Sequence, residues 1–385
     1  MIDKEIKTDK DCMGCQACSN ICPVNSISMK KNSEGFWYPY VNYETCIGCG
    51  KCVDVCPIIN FKQIDNKPQA YACINNNEQE RMKSSSGGIF SIIANWILTE
   101  NGIVYGAAFD DNFNVIHKKV ESVEELDELR GSKYVQSWIG SSYKEIKSYL
   151  NQGRKILFTG TPCQVEGLLH YLNNNYKNLF TMDIVCHGVP SPKVWEKYLQ
   201  YVNESRKEKL KYISFRDKTI SWENYSLVFK YNEGPPIKNS HKNDLYMQAF
   251  LKKVCLRPSC YACCFKGINR RSDITMADFW GINDVYPEMN DNKGTSLILV
   301  NTEKGKYMIE ANERYMTKKE VDIDLALKKN PAAIQSVAEN PNRENFFKGL
   351  NSLSFNKLVS KYCPKTNLIK RKYVIFRRKI KSIFG

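Results

Sequence analysis

Along the chain, short apolar runs alternate with longer amphipathic ones. Ala70–Ile74, Ile103–Phe109, Val115–Val120, Lys155–Thr159 and Leu179–Val185 are short runs, most of them rich in β-branched and aromatic residues, and read as strands. Ile89–Thr99 reads as a helix closed by Asn101-Gly102, Tyr143–Leu150 as a second closed by Gly153, and a third starts about Cys163 and runs toward Tyr171. Ser122 with Glu125 has the form of a capping box and predicts a helix to Leu129. Pro192 suits the first position of another helix. Later strands are expected at Lys211–Phe215, Ser226–Tyr231 and Thr295–Asn301. Strand, loop and helix in repeated alternation predict an α/β sheet with parallel pairs. Ligands of such sheets sit beyond the carboxyl ends of strands, which makes the Gly160-Thr-Pro-Cys163 and Cys186-His-Gly188 loops site candidates.

The N-terminal segment follows a different rule. Cys12, Cys15, Cys18 and Cys22 are spaced C-x2-C-x2-C-x3-C before Pro23, and Cys46, Cys49, Cys52 and Cys56 repeat that spacing before Pro57. This is the ligand pattern of bacterial two-cluster ferredoxins. Three close cysteines wrap one [4Fe–4S] cubane from a short loop, and the fourth points to the other cluster. Cys12, Cys15, Cys18 and Cys56 are therefore expected on one cluster, and Cys46, Cys49, Cys52 and Cys22 on the other. Structural zinc and disulfides are the competing uses of these thiols, and the tandem spacing favours iron–sulfur. Gly35-Phe-Trp-Tyr-Pro-Tyr-Val41 fits a β-hairpin packed over the clusters.

Composition narrows the class. The chain has 385 residues, enough for two or three domains, and 16 cysteines with metal-ligand rather than secretory spacing. Ile89–Leu98 is too short to span a bilayer, and the segment MIDKEIKTDKDC lacks the apolar centre of a signal peptide, so a cytoplasmic location is expected. The net charge of +15 would suggest nucleic acid, but eleven Lys or Arg and no Asp or Glu fall in Asn345–Gly385, leaving +4 elsewhere. Nucleic acid is not an expected partner. Within the tail, Ile369, Tyr373, Phe376, Ile380 and Ile383 recur at helical spacing among basic residues. Such a segment suits an anionic membrane surface at the inner face, an acidic partner protein, or a solvated terminus.

Other constellations allow two uses each. Ser84, Ser85, Ser86, Gly87 and Gly88 precede a helix and form either a phosphate cradle or a plain N-cap. Cys163 opens a helix, where a dipole stabilises thiolate, or is a buried structural thiol. Cys255, Cys260, Cys263 and Cys264 suit a third iron–sulfur cluster or zinc. His187 is a candidate proton donor, or a satisfied structural histidine.

Six stretches in fixed order then resemble one family, the beta subunits of deazaflavin (coenzyme F-420) hydrogenases and dehydrogenases. They are Lys83–Phe90, Gly131–Ser137, Phe158–Gln164, Asp183–Ser191, Leu256–Cys263 and Ser272–Gly281. The resemblance implies a bound flavin, usually FAD, and often a further [4Fe–4S] cluster beside it. It implies that Ser84–Gly88 bind flavin phosphate, that Lys133, Tyr134 and Gln136 line the flavin pocket, and that Thr161 and Gln164 contribute cofactor contacts. It also implies Cys163, Cys186, Cys260 and Cys263 as ligands of the third cluster. Related members are thought to act near surface-polysaccharide genes.

The architecture expected is an α+β ferredoxin-like dicluster domain (1–63), then an α/β flavin-binding domain with a partly parallel sheet in two parts (68–150 and 151–325), then a helical, basic extension (326–385). The function expected is an iron–sulfur flavoprotein oxidoreductase. It would exchange electrons with a donor or acceptor protein such as ferredoxin and reduce or oxidise a small organic substrate. The alternative is a non-catalytic electron-transfer subunit of a larger complex.

Overall fold

The computed structural model describes residues 1–204 and 206–364. The basic amphipathic segment from Ile369 onward lies outside the described residues. Near the N-terminus, strands β1 (Ile27–Lys31) and β2 (Trp37–Val41) form an antiparallel hairpin with Ile27 opposite Val41, so the Gly35–Val41 stretch expected to hold a whole hairpin supplies only its second strand. The side-chain oxygen of Asn32 closes its turn by accepting from the N–H groups of Glu34 and Phe36 at 3.2 and 3.0 Å.

The body is built on β3 (Gln69–Asn75), β4 (Ile103–Phe109), β5 (Val115–Val120), β6 (Ile156–Gly160) and β7 (Leu179–Ile184). It continues with β8 (Leu210–Asp217), β9 (Ser226–Tyr231), β10 (Ile237–Ser240), β11 (Ile274–Asp278), β12 (Ser296–Val300) and β13 (Met316–Val321). Eight of these form one sheet in the order β13-β3-β12-β11-β7-β6-β4-β5. Its centre, β11-β7-β6-β4, is parallel, and every pair outside it is antiparallel. The central strands are mostly apolar and buried because helices cover both faces. The remaining three strands, β10-β9-β8, make a separate antiparallel sheet. Strands from 68–150 and from beyond 151 interleave in the large sheet, so those two parts are one unit.

Helices Ile89–Thr99, Ser142–Asn151, Pro162–Leu172 and Pro192–Asn203 stand within a residue or two of the sequence expectation. The segment after Ser122 is a correction: it is a 3-10 turn, Glu124–Glu128, not an α-helix to Leu129. Half of the capping box forms, with the Glu125 carboxylate accepting from the N–H groups of Glu121 and Ser122, but the Ser122 hydroxyl caps nothing. Strands β10, β11 and β13 and the helix Glu78–Lys83 were not expected. β13 carries three charged residues, as an edge strand can.

Two packing facts position the functional site. The ferredoxin-like module has no core of its own. Ile2, Ala17, Ile27, Val41 and Val55 continue directly into Tyr105, Ile146, Phe158 and Leu168 of the body. The described part of the C-terminal extension is also packed, since Phe346, Phe355, Leu358 and Val359 join Trp195, Tyr198 and Phe229 in one cluster. Arg343, at the start of helix Arg343–Gly349, ties this extension to the hairpin. Its guanidinium meets the Glu34 carboxylate at 2.8 and 2.5 Å and donates to Leu256 O at 3.1 and 3.0 Å. Among the described residues no helix is long and apolar enough to cross a membrane.

Arg343→Met should strand the half-buried Glu34 carboxylate, at a cost of about 3 kcal/mol. Anaerobic thermal unfolding should show a lower apparent Tm, and an unchanged Tm would mean that the pair does not secure the module.

Candidate functional site

The two ferredoxin-type loops fold alike. Helix Ala17–Ile21 carries Cys18 and helix Lys51–Asp54 carries Cys52, and each starts after a residue in the left-handed region. Cys22 and Cys56 follow these helices and cross to the opposite loop. Cys15 and Cys18 feel the charge of both Cys12 and Cys56, and Cys56 feels that of Cys12. Cys22 instead joins Cys46, Cys49 and Cys52 around a small, solvent-open cavity. Burial pushes the Cys15 thiol up to about 12 and Cys18 well above its usual range. Thiolate is stable in such a place only when iron supplies compensating charge, so these donor sets fit cubane clusters. Among the described residues no three His, Cys, Asp or Glu converge as ligands of one ion would. A cubane needs no such convergence, because each iron takes one thiolate. Backbone N–H groups already face sulfur, from Gly14 to Cys12 Sγ at 3.3 Å and from Ser26 to Cys22 Sγ at 3.2 Å.

A third group assembles from three separate places. Cys163 lies in the first turn of helix Pro162–Leu172 after β6, and Cys186 follows β7. Cys260 lies in the 3-10 turn Pro258–Ala262, and Cys263 ends that turn. Cys163 feels the charge of Cys263, Cys186 and Cys260, and Cys260 that of Cys186 and Cys263. Burial raises Cys260 to about 12. The N–H groups of Gly188 and Val189 approach Cys186 Sγ and Cys260 Sγ at 3.4 and 3.5 Å, and the Thr161 hydroxyl lies 3.1 Å from Cys163 Sγ. Cys255 is not among them, being wholly buried in the apolar core. Cys264 borders the group on the side toward Cys56.

One helix links the first and third groups. Gly167, four residues after Cys163 on the same helix, faces Cys15, and a Cβ there would lie 2.9 Å from Cys15 Cβ. Only a residue without a side chain permits this approach.

The flavin candidates fall into two places. At Ser84–Gly88 most hydroxyls are already used. Ser84 donates to Glu80 O, Ser86 donates to Thr295 O, and the Ser85 oxygen accepts from the Ser132 N–H and lies 3.0 Å from the Ser132 hydroxyl. Lys218 Nζ pins the loop through the carbonyls of Arg81, Ser86 and Lys293 at 2.6, 2.9 and 2.6 Å. The N–H groups of Ser85, Ser86 and Gly88 have no partner among the described residues and precede an 11-residue helix, which is what an anion needs. Gly88 adopts φ +86°, and a side chain there would press on Asn75 and Arg81. Lys133 is close by, with Nζ on the carbonyls of Glu128 and Arg130, and burial lowers it to about 7. Tyr134 stacks on Phe250 at 4.8 Å and shares its surroundings with Arg216, which pairs with Asp278. Trp222 and Trp280 stack beside them at 4.8 Å.

The other flavin candidates lie elsewhere. Gln136 sits between Met13 O and Arg257, against the Cys12 loop. Gln164 completes a capping box with Thr161 and donates to Ser137 Oγ at 2.8 Å. His187 packs edge-on against Phe250, and its Nε2 is buried without a partner among the described residues. Burial, Lys253 and Lys266 pull it down to about 4, so the ring is neutral at pH 7. A larger open cavity of about 480 Å³ is lined by Lys62, Pro162, Asp183, Cys264 and Arg270. The sequence reading missed Arg216, Lys218 and Arg257. Arg257 lies within the Leu256–Cys263 stretch, but neither spacing nor periodicity marks Arg216 or Lys218.

Residues 153–323 match the family described as the C terminus of the coenzyme F420 hydrogenase/dehydrogenase beta subunit. Residues 11–58 and 38–86 match 4Fe-4S dicluster domains. Four of the six stretches, Phe158–Gln164, Asp183–Ser191, Leu256–Cys263 and Ser272–Gly281, fall within residues 153–323, and Lys83–Phe90 and Gly131–Ser137 lie outside them. None of the curated proteins matches. Among solved structures, a chain of the xenon-derivatised F420-reducing [NiFe] hydrogenase complex from Methanosarcina barkeri is similar at 17% identity and a TM-score of 0.47, covering 70% of this chain and 91% of its own.

Cys22→Ala should damage the cluster bound by Cys46, Cys49 and Cys52 and spare that of Cys12, Cys15 and Cys18. Electron paramagnetic resonance of the reduced variant reads this directly. Loss of the Cys12–Cys18 signal instead would mean uncrossed ligation.

Proposed function

We propose that this chain, an iron–sulfur electron-transfer protein related to the F420 hydrogenase beta subunits, is an oxidoreductase that moves electrons through three [4Fe–4S] clusters to a flavin and an organic substrate. The observation that carries this reading is helix Pro162–Leu172, which places Cys163 at its start and Gly167 against Cys15. Cys163 and Gly167 are about 6 Å apart along the helix axis, so this one helix joins the first cysteine group to the third. The clusters, when bound, carry single electrons, and a flavin converts them to the two-electron chemistry of organic substrates.

In this reading Cys22, Cys46, Cys49 and Cys52 form the entry site, because Cys49 is exposed and Ile47 beside it is 64% exposed. Cys12, Cys15, Cys18 and Cys56 relay inward, and Cys163, Cys186, Cys260 and Cys263 hold the inner cluster. The amides of Ser85, Ser86 and Gly88 receive flavin phosphate, with Lys133 and Tyr134 beside them. His187, neutral and next to Cys186, is the proton-handling candidate as an imidazole N–H donor. The direct partners are a one-electron carrier protein and a small organic substrate, of the kind met in surface-polysaccharide metabolism. A second reading, a relay subunit without a substrate of its own, is favoured by the internal hydrogen bonds that engage the hydroxyls of Ser84 and Ser86.

Anaerobic reconstitution followed by iron, sulfide and flavin analysis tests the reading. About twelve iron atoms and one flavin per chain are expected, from three cubanes of four irons each. A value of about eight iron removes the inner cluster, zinc at Cys260 reassigns it, and absent flavin favours the relay subunit.

Ser85→Asp tests the cradle better than a change at Gly88, which would strain the helix start. The added negative charge on the loop that carries the open amides should oppose a flavin phosphate and abolish flavin binding with iron content unchanged. Flavin at wild-type stoichiometry would return Ser84–Gly88 to a plain helix cap.

A further inference from the structure

Five arginines are buried in the described structure, and four of them face a carboxylate. Arg81 pairs with Asp291, Arg216 with Asp278, Arg270 with Asp183 and Arg343 with Glu34. The fifth, Arg257, is 0% exposed and has no carboxylate partner among the described residues. Its donors meet neutral oxygens: Nε donates to Cys12 O at 2.8 Å, Nη1 to Gln136 Oε1 at 3.3 Å and Nη2 to Trp37 O at 3.0 Å. The rings of Tyr38 and Phe36 flank it at 4.3 and 5.5 Å. A guanidinium cannot shed its proton, and a buried unpaired charge is costly. Something else must supply the opposite charge.

The position of Arg257 identifies it. The side chain reaches into the Cys12 loop, where a Cβ on Gly14 would lie 2.9 Å from Nη1. Its backbone carbonyl accepts from the Cys260 N–H at 3.0 Å. Its charge acts on Cys15 of the first group and on Cys260 of the third. Each group becomes anionic when its thiolates bind iron, so the guanidinium lies between two anionic sites and within reach of both.

We propose that Arg257 is the shared buried counter-charge of the first and third cysteine groups, raising the reduction potentials of both clusters and keeping them matched. The inference rests on the cluster positions of the proposed function. Each reduction delivers one electron from the external one-electron donor and makes that cluster one unit more negative. A fixed cation beside it stabilises the reduced form over the oxidised form. The entry group of Cys22, Cys46, Cys49 and Cys52 shows no such contact with Arg257 and serves as an internal reference.

The test is a redox titration of the reconstituted full chain, followed by electron paramagnetic resonance, with iron counted on the same samples. Arg257→Met and Arg257→Gln should lower the midpoint potentials of the first and third clusters and leave the entry cluster unchanged. Arg257→Lys keeps the charge and should stay close to wild type. Full iron with three unchanged potentials in the Met and Gln variants would overturn the proposal. So would a Lys variant shifted as far as Met, because the hydrogen bonds rather than the charge would then be responsible. Loss of iron from both neutral variants but not from Lys would support it. About eight iron atoms in the wild type would remove the inner cluster itself, and the first-cluster potential would then decide the matter alone.

Discussion

The close seating of helix Pro162–Leu172 on the Cys12–Cys18 loop is the contact on which the architecture depends. Gly167 brings the helix backbone against Cys15, and the Tyr143 hydroxyl accompanies it, donating to Gln164 O at 2.7 Å. From this contact follow the merger of the two cores, the nearness of the first and third cysteine groups, and the burial of Arg257 and Gln136 between them. A side chain at 167 would force the helix outward and open all of these at once.

Burial of charge is the second theme. The cysteine groups lie where thiolates are unfavourable without a metal, so iron binding and folding support each other. Cations stand beside those groups, Arg257 near Cys15 and Cys260, and Lys266 and Arg270 near Cys263. N–H groups of Gly14, Ser26, Gly188 and Val189 face sulfur, and these neutral dipoles tune clusters without adding charge. Full charges appear where two polypeptide parts meet, as with Arg343 and Glu34 at the hairpin.

Much of the fold was legible because central strands such as Ser296–Val300 are continuous apolar runs and helices carry clear stops. What escaped was local or long-range. The segment after Ser122 has the polar signals of a helix, but its five residues close only a 3-10 turn. Strand Met316–Val321 is charged because it lies at a sheet edge, and no pattern distinguishes that from a loop. The ligand spacing of the eight N-terminal cysteines was readable because it is local. The grouping of Cys163 with Cys186, Cys260 and Cys263 came only through family resemblance, since tertiary folding alone brings them together. Gln136, which the resemblance implies beside a flavin, stands against the Cys12 loop. A residue's place in a motif says nothing about which neighbour its side chain meets.

The absence of a separate core in the ferredoxin-like module bears on how the chain is made. During synthesis the loops holding Cys12 through Cys56 emerge first, yet the apolar wall that shelters them includes Phe158 and Leu168, which are added much later. Until then the nascent module keeps Ile27, Val41 and Val55 open to water and its sulfur sites accessible. Docking of the body therefore encloses the loop of Cys15 and Cys18, whereas the group with exposed Cys49 stays open to iron and sulfide in the folded chain.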